Sequence, residues 1–442
     1  MVDRGPGRTA AAASRWFRPK SVRRSGVPRP LARRAAILQG TVLVVFAVLA
    51  TSCTTGAETV LPADEQVSET AETPADEPNT TEVVAVDPVP SILASLTVEQ
   101  KVGQLLMPMV WGTSTQTTDD ERRLNLEAHG YETAAEIVDA YDLGGVVYLA
   151  ANVSSAADLR SMSGLLQATA VQDSGIGLLL AIDQEGGEVA RLTDEVTSFP
   201  SAIQFAGDPQ RAREAGYVTG QQVQQQGINV VLAPVADVIE AGQRSFIGDS
   251  GRSFGSDPDA VAMMVAASVE GLQSAGVAAA VKHWPGHGAT RTDSHDSLPR
   301  LDVDRALWDQ RERLPFAAAI EEDVAIVMVG HLSLPQLDPS AAPATISPVL
   351  VDELLRGELG FGGVVMSDAL NMGAVENYDP GELTVASVQA GVDIILVPPS
   401  LPAASGALIQ AANDGLLSVE QLDAAVTRVL RLKADLGLLP AS

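Results

Sequence analysis

Eight short apolar runs recur along the chain: QLLMPMV from Gln104, GGVVYLA from Gly144, GLLLAID from Gly177, NVVLAPV from Asn229, VAAAVKH from Val277, AIVMVGH from Ala325, GVVMSDA from Gly363 and DIILVP from Asp393. They are nearly continuous rather than alternating, which indicates strands buried on both faces, as in a parallel sheet. Parallel neighbours need a crossover, usually a helix. The spacers supply helix starts: Asp208-Pro209, Asp257-Pro258 and Ser347-Pro348 each set an N-cap before a proline at the first helical position. Thr97 to Gln100 and Ser418 to Gln421 have the spacing of capping boxes, and beyond Ser418 the residues Leu422, Val426, Val429 and Leu430 share one helical face. Eight strand-helix units predict a single (β/α)8 TIM-type barrel over residues 91–442. An open doubly wound sheet is the alternative, but no Gly-rich dinucleotide fingerprint follows an early strand.

The N-terminal segment differs. Ten basic residues between Arg4 and Arg34 precede the run TVLVVFAVLA, Thr41 to Ala50, the layout of an export signal. That run is short against the roughly 20 apolar residues of a membrane span. Small residues then lead to Cys53, the only cysteine. This resembles a bacterial lipobox, which implies that residues 1–52 are removed as a lipoprotein-type signal peptide and that Cys53 is lipidated. An uncleaved anchor is the alternative. Residues 53–90 are rich in Thr, Glu, Asp and Pro without apolar periodicity and are expected to form a disordered acidic tether. The expected location is the outer face of the cytoplasmic membrane.

Residues 1–52 hold those ten bases and Asp3, a net +9, so their removal takes the formal charge from -27 to -36. So acidic a protein repels nucleic acid. Cations beside its acidic motifs, Arg191, Arg252 and Lys282, therefore ask for an explanation.

In a parallel barrel, chemistry gathers at the C-terminal strand ends. These ends carry Asp183, Asp237, Lys282 with His283, His331 and Asp368. Val281 to Pro299 holds three of the five histidines, His283, His287 and His295, beside Lys282, Asp293 and Asp296. Ordinary roles exist for each residue. Asp368 can cap the following helix; Asp183 and Arg191 can form a structural ion pair; Arg252 can fix the loop bearing Phe254; Asp293 can cap a helix from a polar surface loop; His287 can shape its own loop. His331 reads equally as pocket wall or core.

Five motifs in order, IDQEGGEVARL (Ile182–Leu192), GRSFG (Gly251–Gly255), KHWPGHG (Lys282–Gly288), DSH (Asp293–His295) and MSDALNM (Met366–Met372), together resemble glycoside hydrolase family 3, in its β-N-acetylhexosaminidase (NagZ-type) branch. The resemblance runs from about Leu96 to Leu439. It implies a retaining hydrolase with Asp368 as nucleophile, His295 on a mobile loop as general acid/base and Asp293 orienting its ring. An imidazole titrates near neutrality and suits both proton steps. The resemblance assigns sugar binding to Asp183, Arg191, Arg252, Lys282 and His283, and implies no metal or cofactor. After Pro399 the remaining residues suffice only to finish a barrel, so a His rather than a carboxyl from a second domain is the expected acid. The implied substrate is a terminal β-linked N-acetylglucosamine on muropeptides, with a monomer as the expected state and phosphate open as an alternative acceptor to water. Ala369 and Trp284 depart from the family pattern. A β-glucosidase, a non-catalytic glycan-binding lipoprotein and a barrel metallohydrolase are the competing readings, the last lacking an early-strand His pair.

Overall fold

The structure, a computed structural model, describes residues 87–440 apart from Ala206. The expected signal peptide, Cys53 and residues 53–86 of the expected tether lie outside the described residues. The tether's expected end at residue 90 is too late, because a helix already spans Val89–Ser95. Its prolines mislead by composition: Pro90 sits in the first turn, where no intrahelical donor is lost, and Asp87 Oδ1 accepts from Val89 N at 3.0 Å. Val89 is buried, and Ile92 and Leu93 pack on the core.

Each apolar run contains one strand. In chain order these are β1 (Leu106–Met107), β2 (Gly145–Tyr148), β3 (Leu179–Ile182), β6 (Val230–Val231), β7 (Ala278–Trp284), β8 (Ile326–Val329), β9 (Val364–Ser367) and β10 (Ile395–Leu396). Between β3 and β6 lies an unforeseen antiparallel hairpin, β4 (Gln184–Gly186) and β5 (Val189–Ala190). Six strands form one parallel sheet in the order β2-β3-β6-β7-β8-β9, while β1 and β10 form a separate parallel pair. Every residue of β2, β3, β7, β8 and β9 is buried, as expected of strands covered on both faces. Helices connect them, so the architecture is parallel α/β.

The cap signals translate directly. Asp208 Oδ1 accepts from Arg211 N at 3.0 Å ahead of the helix Pro209–Gln224, Asp257 caps Pro258–Ser274, and both expected capping boxes form. The third N-cap differs. Ser347 Oγ accepts from Leu350 N at 3.1 Å, yet Val349–Glu358 winds as a π-helix that starts after Pro348. Trp284 closes β7 in a buried T-shaped cluster, 5.5 Å from Trp308 and 5.2 Å from Phe316 between ring centroids. Its indole N–H donates to Leu350 O at 2.8 Å, so the larger ring brings its own partner for a buried donor.

Candidate active site

The strand order sends β3, β6, β7, β8 and β9 to one end, and the polar residues at their exits meet there. Asp183 leaves β3, and the hairpin that follows turns on Gly186 and Gly187, whose φ of 93° and 59° lie in the left-handed region. Side chains two apart on an extended segment share a face, so Asp183 and Glu185 point the same way. Lys282 Nζ, buried at the end of β7, lies 2.7 Å from both Asp183 Oδ1 and Glu185 Oε1. Arg252 grips the same Glu185 with Nε at 2.8 Å and a terminal nitrogen at 2.7 Å. Arg191 reaches Asp183 at 3.4 Å from β5's end. Five charged residues thus form one chain, Arg191–Asp183–Lys282–Glu185–Arg252. Desolvation works against the Glu185 charge, but Lys282 and Arg252 overcome it and bring the carboxyl down to about 2. Burial likewise opposes the charge of Lys282, and Asp183 and Glu185 raise it instead.

His283, next to Lys282, extends the chain. Its Nε2 lies 3.5 Å from Arg252, and its Nδ1 lies 2.7 Å from buried Asp237 Oδ2. Asp237 Oδ1 also accepts from His287 N at 2.6 Å. His287 is buried, with Nε2 at 3.1 Å from Ser294 Oγ and Nδ1 against Thr290 Oγ1. Its side-chain bonds stay within the 287–294 loop, while its backbone N–H ties that loop to Asp237.

Asp368 directly follows β9, where its own N–H donates to Val329 O at 2.8 Å. Its Oδ1 accepts from Ala369 N, also at 2.8 Å. Desolvation pushes this carboxyl up, but the imidazoles of His283 and His331, the Ala369 N–H and Lys282 together hold it below the ordinary carboxylate range. His331 proves to be fully buried. Its Nε2 lies 3.0 Å from Ala369 O, an acceptor only, so Nε2 carries a proton, and Nδ1 lies 2.6 Å from Thr345 Oγ1. Burial lowers its pKa. His331 therefore anchors the backbone just past Asp368.

Asp293 and His295 sit on the loop after β7. Asp293 Oδ1 accepts from His295 N at 2.9 Å and meets His295 Nδ1 at 2.8 Å. One carboxylate thus caps the turn and orients the ring, combining the two roles that the sequence set against each other. The His295 side chain is 61% exposed. Its loop is stitched to the segment beyond Asp368, because Gly373 N donates to His295 O and Ala374 N to Ser294 O, each at 3.0 Å. A Cβ at Gly373 would stand 2.5 Å from His295 O.

All eight expected candidates other than Cys53 therefore gather at one end of the sheet: Asp183, Arg191, Arg252, Lys282 and His283 in the charged chain, Asp368 beside it, and Asp293 with His295 on the stitched loop. Sequence reasoning passed over Glu185, although it stands inside IDQEGG, and the alternation from Asp183 was the available signal. It also passed over Phe246, whose ring lies 5.8 Å from that of His295.

Polar groups converging where parallel strands end define an α/β protein built to hold a polar ligand at that face. The chain belongs to glycosyl hydrolase family 3: the sequence model of the glycosyl hydrolase family 3 N terminal domain matches residues 97–432. It is 35% identical over 337 residues to Beta-hexosaminidase A of Pseudoalteromonas piscicida, an alignment covering 70% of this chain and 56% of that one. It is 34% identical over 364 residues to the Beta-N-acetylglucosaminidase/beta-glucosidase of Cellulomonas fimi, covering 79% and 60%. A glycoside hydrolase family 3 beta-N-acetylglucosaminidase structure from Paenibacillus sp. superposes with a TM-score of 0.71 at 38% identity, covering 78% of this chain and 63% of that one. The chain thus spans less than two thirds of each of these three proteins.

Proposed function

We propose that the protein is a retaining β-N-acetylhexosaminidase that removes terminal N-acetylglucosamine from peptidoglycan fragments. The observation that carries this is the pairing of Asp368, a carboxyl kept ionised by imidazoles and a lysine, with a Asp293-oriented His295 on a loop bonded to the segment just past it. In the first step an Asp368 oxygen attacks the anomeric carbon, the glycosidic C–O bond breaks, and the departing oxygen takes a proton from His295 Nε2. Nδ1 is committed to Asp293, which leaves Nε2 for the proton transfer. In the second step water attacks the same carbon, gives its proton to His295 Nε2, and Asp368 leaves as a carboxylate. The charged chain orients the sugar through its hydroxyls. The names of the similar proteins support the amino-sugar preference, and the double name of the Cellulomonas protein favours β-glucosides as the second reading.

The same proposal includes closure of the strands as a (β/α)8 barrel. Its supports are the parallel bridge between Met366 and Ile394 and the bond from Val147 N to Pro108 O at 3.1 Å, which span both gaps between the six-stranded sheet and the β1-β10 pair. Export and lipidation at Cys53 complete it and would bring the enzyme to wall fragments; mass spectrometry of the membrane-fraction N-terminus tests that part.

The activity test sets a chromogenic N-acetyl-β-glucosaminide against the matching β-glucoside, with chelator, and with and without phosphate. Turnover of the first alone, at a rate indifferent to phosphate, is expected. His295→Ala should lower kcat by about 10²–10⁴-fold on a poor leaving group and far less on an activated aryl group, while Asp368→Asn should abolish turnover of both. The depressed Asp368 carboxyl should place the acidic limb of kcat/KM below about pH 3.9, the ordinary Asp value. A sugar phosphate product, or unchanged activity in Asp368→Asn, would overturn the reading.

A further inference from the structure

Phe246 stands between the charged chain and the His295 loop. On one side the Arg252 guanidinium lies 5.9 Å from its ring centroid; on the other are the rings of His295 at 5.8 Å and His287 at 6.4 Å. One aromatic ring therefore lies between a cation of the charged chain and the imidazole of His295, 5.9 Å from the first and 5.8 Å from the second. Phe246 is only half-buried. It borders an open cleft of about 560 Å³, lined also by Ser245, Arg244, Arg291, Glu188 and Asp293, within the roughly 300–1,000 Å³ of small-molecule sites. The cleft rim mixes signs. Arg244 is held by Asp249 at 2.7 Å, and Arg291 bonds Gln243. Guanidinium and carboxylate groups around an aromatic floor suit a molecule with an apolar ring face and hydroxyl or amide edges.

We propose that this cleft is the subsite for the departing sugar, a pyranose whose ring face rests on Phe246, which thereby positions the leaving oxygen against His295. The proposal rests on the glycosidase reading and deepens it. Binding energy from the leaving sugar is then spent in aligning the scissile bond rather than in holding the sugar that stays behind.

The test uses the full chain with two substrates: the β-1,4-linked disaccharide of N-acetylglucosamine, which fills the cleft, and N-acetyl-β-glucosaminyl fluoride, which leaves it empty and needs little proton donation. Phe246→Ala should lose about tenfold more kcat/KM on the disaccharide than on the fluoride, about 1.4 kcal/mol of differential transition-state binding. Phe246→Leu, which keeps most of the bulk, should show the same split, and Phe246→Tyr should restore the disaccharide rate. Equal losses on both substrates, or no loss on either, would overturn the subsite while leaving the hexosaminidase reading intact. If the unaltered protein turns over neither substrate, both readings fall.

Discussion

Glu185 shows how much rests on a single side chain at this site. It is nearly buried, 7% exposed, and is shared by Lys282 and Arg252. Removing one partner of a buried ionic cluster strands the others, at a typical cost of about 3–5 kcal/mol. Glu185→Gln should therefore lower the melting temperature and weaken sugar binding together, and wild-type values for both would refute this. The sign of the pH effect follows from the carboxyl at about 2 in the folded protein against about 4.3 in an unfolded chain. The stabilisation it supplies is complete above about pH 4.3 and drains away as the pH falls toward 2, so Glu185→Gln should flatten the acid limb of a stability profile. Asp183, Lys282, His283 and Asp368 were legible in the sequence because strand exits concentrate chemistry, a rule that needs only the strand ends. Phe246 was not legible, since it opens a four-residue helix, Phe246–Asp249, too short to show a periodicity.

At the scale of elements, eight apolar runs became eight strands because double-sided burial leaves an unbroken apolar signal. The β4-β5 hairpin was missed because its strands, three and two residues long, are half-buried and set by two glycines rather than by a pattern. The helix Val89–Ser95 was missed because prolines in a first turn look, in composition, like prolines in a linker. Nor does sequence show how one loop lies against another. Gly373 sits where any Cβ would meet backbone oxygens of His295 at 2.5 Å and Asp296 at 2.7 Å. Gly373→Ala must push the His295 loop off the segment beyond Asp368. The expected outcome is a fall in kcat on poor leaving groups with near-normal turnover of the glycosyl fluoride, checked by parallel kinetics; equal effects on the two would count against a role specific to the loop.

The whole molecule carries a further titration far from this chemistry. Lys433, in the C-terminal helix Val419–Asp435, is fully buried and donates to Gln104 Oε1 at 2.6 Å. Burial alone draws its pKa down to about 7. An unfolded lysine titrates near 10.4, so between about 7 and 10.4 the unfolded chain holds a proton that the folded one does not. Stability should rise with pH across that window, and Lys433→Met should remove that part of the slope, as read from urea melts at pH 7 and 9. An unchanged slope would mean that the buried amine keeps its charge.

The nucleophile candidate and the proton donor candidate belong to parts of the molecule held with unequal firmness. Asp368 follows a wholly buried strand, whereas His295 stands mostly in solvent on a loop fastened by a few backbone bonds. Loops so attached open locally at lower cost than a core strand. Heating should therefore end the proposed activity in two stages: substrates that need a proton lose turnover first, while those with self-departing groups persist until the sheet itself melts.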